Sequence, residues 1–166
     1  MIVLGIDPGS VKTGWGIIDV RGRTLTALDW GVIRMPPKTP LHERLMKIHD
    51  GLCTCIQEHK VEAAAVEGIF QSGVQQNMQS ILKLGHARGV ILLAIAQAGL
   101  PLAEYAPAEV KKSLVGHGRA DKWQMKEMIR SLLRLSKVPA EDAADALAVA
   151  VCHSFRLQIP QLRGYR

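Results

Sequence analysis

Little in this 166-residue chain points to stapling by sulfur. Its three cysteines, Cys53, Cys55 and Cys152, form an odd set with one C-x-C spacing, which fits neither a disulfide framework nor a zinc ribbon. They read as small buried hydrophobes. Long apolar runs are also missing: none exceeds seven residues, as in residues 90–96, which stop at Gln97, against about 20 for a membrane span. No membrane segment is expected. The opening Ile2-Val3-Leu4 reads as strand and follows no basic stretch, so no secretory signal and a cytoplasmic location are expected. No internal repeat or low-complexity segment occurs. A Walker A loop is absent, because residues 9–14 lead into Trp15 rather than Lys. Gly14-Trp15-Gly16 lacks the third glycine of a dinucleotide fingerprint. An ATPase of the actin or sugar-kinase type would need two such domains.

What is present is an ordinary globular composition, 48% apolar and 22% charged. It suits one domain over residues 1–157, with a flexible tail over 158–166 that contains Pro160 and Gly164. The net charge of +6 is placed unevenly. Residues 1–107 hold ten Lys/Arg and nine Asp/Glu, residues 108–137 hold eight and three, and residues 138–166 hold three of each. Five of the six excess charges therefore lie in one stretch. Such a concentration suits a phosphate backbone, and it also suits simple solubility.

Residues 1–7 form a near-continuous apolar run, as in a strand covered on both faces, and Asp7-Pro8-Gly9-Ser10 supplies turn chemistry. Residues 13–20 and 24–34 read as two more strands of an antiparallel meander. Leu41, Leu45, Ile48, Leu52 and Ile56 mark an amphipathic helix. Residues 61–67 read as a second two-sided strand, 74–97 as a long helix, 101–105 as a fifth strand, and 108–114, 122–135 and 140–155 as helices. The order βββ-α-β-α-β-ααα predicts an α/β fold. Its mixed five-stranded sheet has three antiparallel strands continued by parallel ones, flanked by helices.

Two acids interrupt this pattern. Asp7 ends one buried strand, and Glu67 ends the other, after Ala63-Ala64-Ala65-Val66. Each alone could simply begin a loop. Burying two ionised carboxylates, however, is costly unless they are paired or bind metal, and sites in open α/β sheets lie beyond strand C-termini. Asp142 and Asp145 are three residues apart on one face of the last helix. Capping explains Asp142; Asp145 sits deeper, among Ala144, Ala146 and Ala148. If the four acids converge, they cannot all remain ionised without cations. An all-oxygen set favours Mg²⁺ or Mn²⁺ over zinc. Two such ions about 3.5–4 Å apart can activate water and stabilise the leaving oxygen in phosphodiester cleavage.

Gly5-Ile6-Asp7-Pro8-Gly9-Ser10, Thr13-Gly14-Trp15-Gly16, Glu67-Gly68-Ile69-Phe70, Leu84-Gly85-His86-Ala87-Arg88-Gly89 and Asp142-Ala143-Ala144-Asp145-Ala146-Leu147-Ala148 follow one another in order. In them the chain closely resembles the RuvC family of bacterial Holliday junction resolvases, over nearly its whole length. The resemblance implies a ribonuclease-H-like fold, a homodimer, and Mg²⁺-dependent paired nicking of four-way DNA junctions in recombination and repair. It also implies a RuvA–RuvB branch-migration complex as partner. Asp7, Glu67, Asp142 and Asp145 match the family's metal-binding acids, position 142 being His in some relatives. Lys111 and Lys122 match basic positions near the scissile phosphate, and Lys112, Arg119 and Lys126 extend the charge.

Phe70 reads either as a ring tucked under its loop or as a wedge stacking on a distorted base, a contact worth about 1–3 kcal/mol; the resemblance favours the wedge. Part of the long helix, with Gly85 and Gly89, is implied at the dimer interface, whereas Met78, Ile81, Leu82 and Leu93 read as monomer core. Trp15 and Trp30 also read as core, while Trp123 could pack or meet DNA. A non-catalytic junction binder is the main rival, and it would keep Phe70 and the lysines without needing four converging acids. A YqgF-type nuclease shares the fold, but such chains tend to be shorter and lack this Asp-x-x-Asp helix in the same form.

Overall fold

The computed structural model describes residues 1–36, 38–68 and 78–158. Its strands are β1 (Ile2–Asp7), β2 (Lys12–Arg21), β3 (Thr24–Arg34), β4 (Ala63–Glu67) and β5 (Leu102–Tyr105). The helices are α1 (Leu41–His59), α2 (Met78–Gln97), α3 (Pro107–Val115), α4 (Lys122–Leu132) and α5 (Glu141–Gln158). The strands form one five-stranded sheet in the order β3-β2-β1-β4-β5. β1–β2 and β2–β3 pair antiparallel, while β1–β4 and β4–β5 pair parallel. This is the mixed sheet expected from the sequence.

Period-two alternation gives the sheet two different faces. Val3, Ile18 and Ala65 pack with Val110, Met125, Ile129 and Leu147, so this face carries α3, α4 and α5. Leu4, Ile6, Ile17, Ala64 and Val66 pack with Ile48, Leu52, Ile91 and Ile95, so the other carries α1 and α2. Both cores are mainly aliphatic. α1 presents its stripe inward and ends at Lys60, whose φ of 52° is left-handed.

The α5 side is set by small residues. A Cβ on Gly5 would lie 2.1 Å from the Ala146 carbonyl oxygen, and one on Gly14 would lie 1.9 Å from that of Asp142. Helix backbone therefore rests directly on strand backbone. Gly16 in turn leaves room for the Leu147 side chain.

Several elements differ from expectation. α4 stops at Leu132 rather than residue 135, because Leu133 caps it and Arg134 turns left-handed at φ 52°. Leu133 and Leu135 still reach the core. α5 continues to Gln158, past the expected end and into the first residue of the expected tail. Residues 159–166 lie outside the described residues. Cys55 and Cys152 are buried as expected, but Cys53 is only half-buried, beside His49. Trp15 and Trp30 are half-buried at the core margins.

The largest difference is on α2. Met78, Leu82 and Leu93 are 68%, 55% and 51% exposed, and Ile81 is half-buried. The packed side is instead Ala87, Ile91, Ala94 and Ile95. A helix apolar on both sides does not reveal by spacing which stripe is covered. Among the described residues it is the one helix long and apolar enough to cross a membrane by length and composition.

Gly5→Ala is expected to destabilise the fold by about 1–3 kcal/mol, since a methyl there overpacks two backbones. Chemical denaturation checks this; an unchanged midpoint would show that α5 yields freely.

Candidate active site

Asp7 and Glu67 each follow the parallel-paired Ile6 and Val66 by one residue, so the two acids leave neighbouring strands side by side. Alternation turns both toward α5, the side occupied by Val3 and Ala65. α5 crosses above them. Its first two turns carry Asp142 and Asp145, and the backbone contact at Gly14 fixes how low Asp142 lies. The turn after Asp7 is braced twice, by Thr13 Oγ1 donating to the Gly9 carbonyl at 2.9 Å and Arg44 Nη1 donating to that of Ser10 at 2.8 Å.

The four acids share one electrostatic neighbourhood. Burial, then the charges of Glu67 and Asp145, a hydrogen bond with Glu67 and the charge of Asp142 push the Asp7 carboxyl up to about 8. Burial and Asp145 raise Glu67, against opposing effects of its Asp7 hydrogen bond and Lys111. Burial also raises Asp145, while Lys122 opposes the shift. The physical cause is the burial of several carboxylates close enough to repel one another.

Beside the acids is a cavity of about 200 Å³ whose lining includes Glu67, Asp145, Lys111 and Lys122. Both lysines expected near the reacting phosphate are thus at the site. Lys112 and Arg119 are exposed but do not line it. Gly116, left-handed at φ 84°, caps α3 and donates its N–H to the Lys112 carbonyl. Trp123 is 71% exposed. Phe70 lies outside the described residues.

Three contributors were not anticipated. Glu141 accepts a hydrogen bond from Lys122, and Lys126 lies 3.7 Å from its other oxygen. Arg44 is 5% exposed and braces the Asp7 turn. Arg88 donates to the Glu67 backbone carbonyl. A lone arginine beside Ala87 and Gly89, with a lone acid at Glu104 in β5, was the available signal for the last.

The donor set is made of carboxylates, which suits a hard divalent cation. Among the described residues no three His, Cys, Asp or Glu side chains are grouped closely enough to hold a metal ion by themselves. Mg²⁺ seldom requires such a group, since it commonly binds through one or two carboxylates, water and substrate phosphate.

A mixed sheet in this order, with acids at two neighbouring strand ends and on the crossing helix, defines a ribonuclease H-like α/β domain. A profile of crossover junction endodeoxyribonuclease RuvC matches residues 3–153. Relatives of that name from Magnetococcus marinus and Halorhodospira halophila are 54% and 52% identical, covering 91% and 95% of this chain and 82% and 92% of theirs. The structure of Thermus thermophilus RuvC in complex with Holliday junction substrate aligns with a TM-score of 0.88 at 37% identity, covering 96% of each chain. The chain belongs to the RuvC family.

The raised Asp7 value has a consequence for stability. Unfolded, the group loses its proton near 3.8, and folded, it keeps it to about 8. Between these values the native chain binds the extra proton, so stability falls as pH rises through the window. Asp7→Asn is expected to flatten that slope and raise the metal-free Tm at pH 8 by a few degrees, about 1 kcal/mol corresponding to about 2–4 °C in a chain of this size. Calorimetry from pH 4 to 9 checks it; parallel curves for the two proteins would contradict the assignment.

Proposed function

We propose that this protein is a structure-selective endonuclease that resolves four-way DNA junctions by paired, symmetric, metal-dependent nicks in recombination and repair. What supports the chemistry is that Glu67, Asp145 and Asp142 all act on the buried Asp7, beside a cavity whose lining includes Glu67, Asp145, Lys111 and Lys122. A passive junction binder has no use for buried carboxylates that repel one another. The site acids would hold Mg²⁺, with Mn²⁺ as a substitute and two ions per site, and bound ions would acidify the attacking water and stabilise the leaving oxygen. Lys111 and Lys122 draw in the phosphate by charge, and Lys122 leaves Glu141 to do so. Lys112 and Arg119 add outer contacts to the DNA backbone, and Phe70 serves as the wedge at the junction centre.

Symmetric cutting needs two sites related by a two-fold axis. Met78, Leu82, Gly85, Gly89 and Leu93 recur at spacings of four, three, four and four along the open side of α2. A Cβ on Gly85 or Gly89 would meet nothing within 4 Å, so the monomer's own packing does not require either glycine. We read this stripe as the seat of a second copy. A RuvA–RuvB branch-migration complex is the proposed further partner, and the cytoplasm, where the chromosome lies, the proposed location.

A synthetic four-way junction incubated with and without Mg²⁺, with all strands resolved, tests the reading. Paired nicks at matching positions are expected, with Mg²⁺ only. Asp7→Asn should bind the junction nearly as wild type does while nicking falls roughly 10³-fold or more, equal to about 4 kcal/mol. Full cleavage by that variant would remove Asp7 from the chemistry. Glu141→Gln should tighten junction binding by roughly two- to fivefold at low salt, because it frees Lys122 and Lys126. Weaker binding by gel shift would mean that Glu141 orients the lysines rather than competing for them.

A further inference from the structure

Arg88 leaves the flank of α2 between its packed side, which includes Ala87 and Ile91, and its open stripe at Gly85 and Gly89. Its side chain is only 14% exposed. One fork of the guanidinium, Nη1, donates to the Glu67 backbone carbonyl at 2.8 Å, while Nη2 donates to Glu104 Oε2. The strand pattern explains why both acceptors are within reach. Glu67 and Tyr105 pair across β4 and β5, and Glu104 precedes Tyr105, so alternation turns its side chain away from α5 and toward α2. On the other side of the Glu67 peptide, the Gly68 N–H donates to the Tyr105 carbonyl at 2.8 Å. The backbone that carries the Glu67 carboxylate is therefore gripped from β5 and from α2.

We propose that Arg88 is a positioning residue: it holds the end of β4 so that the Glu67 carboxylate faces Asp7, and it ties that geometry to the seating of α2. This rests on the nuclease reading above. Because α2 also carries the open apolar stripe, a shift of that helix on assembly would be passed to Glu67 through one rigid fork. Lysine cannot reproduce it, since a single ammonium point charge does not span a carbonyl and a carboxylate in the fixed geometry of a guanidinium.

The test uses full-length protein and three readouts on Arg88→Lys: junction nicking, junction binding, and Mn²⁺ binding by calorimetry without DNA. Expected are wild-type Tm and junction affinity, nicking slowed by roughly 10- to 100-fold, and Mn²⁺ affinity weakened by a similar factor, the usual effect of losing a support behind a metal ligand. Glu104→Gln, which keeps the carbonyl bond but loosens its anchor, should show a smaller loss of the same kind. Wild-type nicking and Mn²⁺ affinity in Arg88→Lys would overturn the proposal. So would a parallel fall of Tm, junction binding and nicking in both variants, which would mark a purely structural role. Failure of the nuclease reading would show elsewhere, in a wild-type protein that binds Mn²⁺ but does not nick; the calorimetry would then still judge Arg88.

Discussion

The contact of α5 with the bare backbone of β1 and β2 is the constraint from which the site follows. Gly5 and Gly14 leave no room for a side chain beneath Ala146 and Asp142. Ala143, Ala146 and Ala150 keep the helix side equally thin. Ordinary side chains between the layers would hold sheet and helix further apart and weaken the coupling between acids on one and acids on the other. Here they do sense one another, and Asp7 is perturbed by Glu67, Asp145 and Asp142 together.

That proximity opposes stability. Burial alone would keep a carboxyl protonated, and three acidic neighbours add to the effect. The fold answers with two aliphatic cores, one on each face of the sheet, and with lysines at the site's mouth. Glu141 then partly neutralises one of them, Lys122, so that its positive charge is held ready at the cavity without being free. The balance is what a nuclease needs: charges that are costly alone and become favourable when hard cations and phosphate arrive together. Strained electrostatics at a site, offset by packing elsewhere, is an expected pattern for function.

Much of this was legible in the linear chain. The strand order and the mixed sheet followed from alternating apolar patterns, and Asp7 and Glu67 stood out as acids at the ends of otherwise apolar strands. The alanines around Asp145 belong to the surface by which α5 rests on the sheet. Other features were hidden for physical reasons. The two stripes of α2 are both apolar, so only the position of α1 and the sheet could decide that Met78, Leu82 and Leu93 face outward. Leu133 and Leu135 looked like continuing helix because they are buried, although the backbone has already turned left-handed at Arg134. Arg44 acts on a backbone carbonyl, which carries no residue-specific mark in a sequence.

The sequence by itself determined the secondary elements, their alternation and the chemical type of the site, because these depend on local periodicity and on which residues can tolerate burial. The tertiary structure alone decided which carboxylates act on one another, which lysines reach the cavity and which arginines brace the strand ends. Those outcomes depend on distances of a few ångströms between segments as many as 138 residues apart, as Asp7 and Asp145 are. Electrostatic coupling depends on separation in space, which pattern alone does not supply.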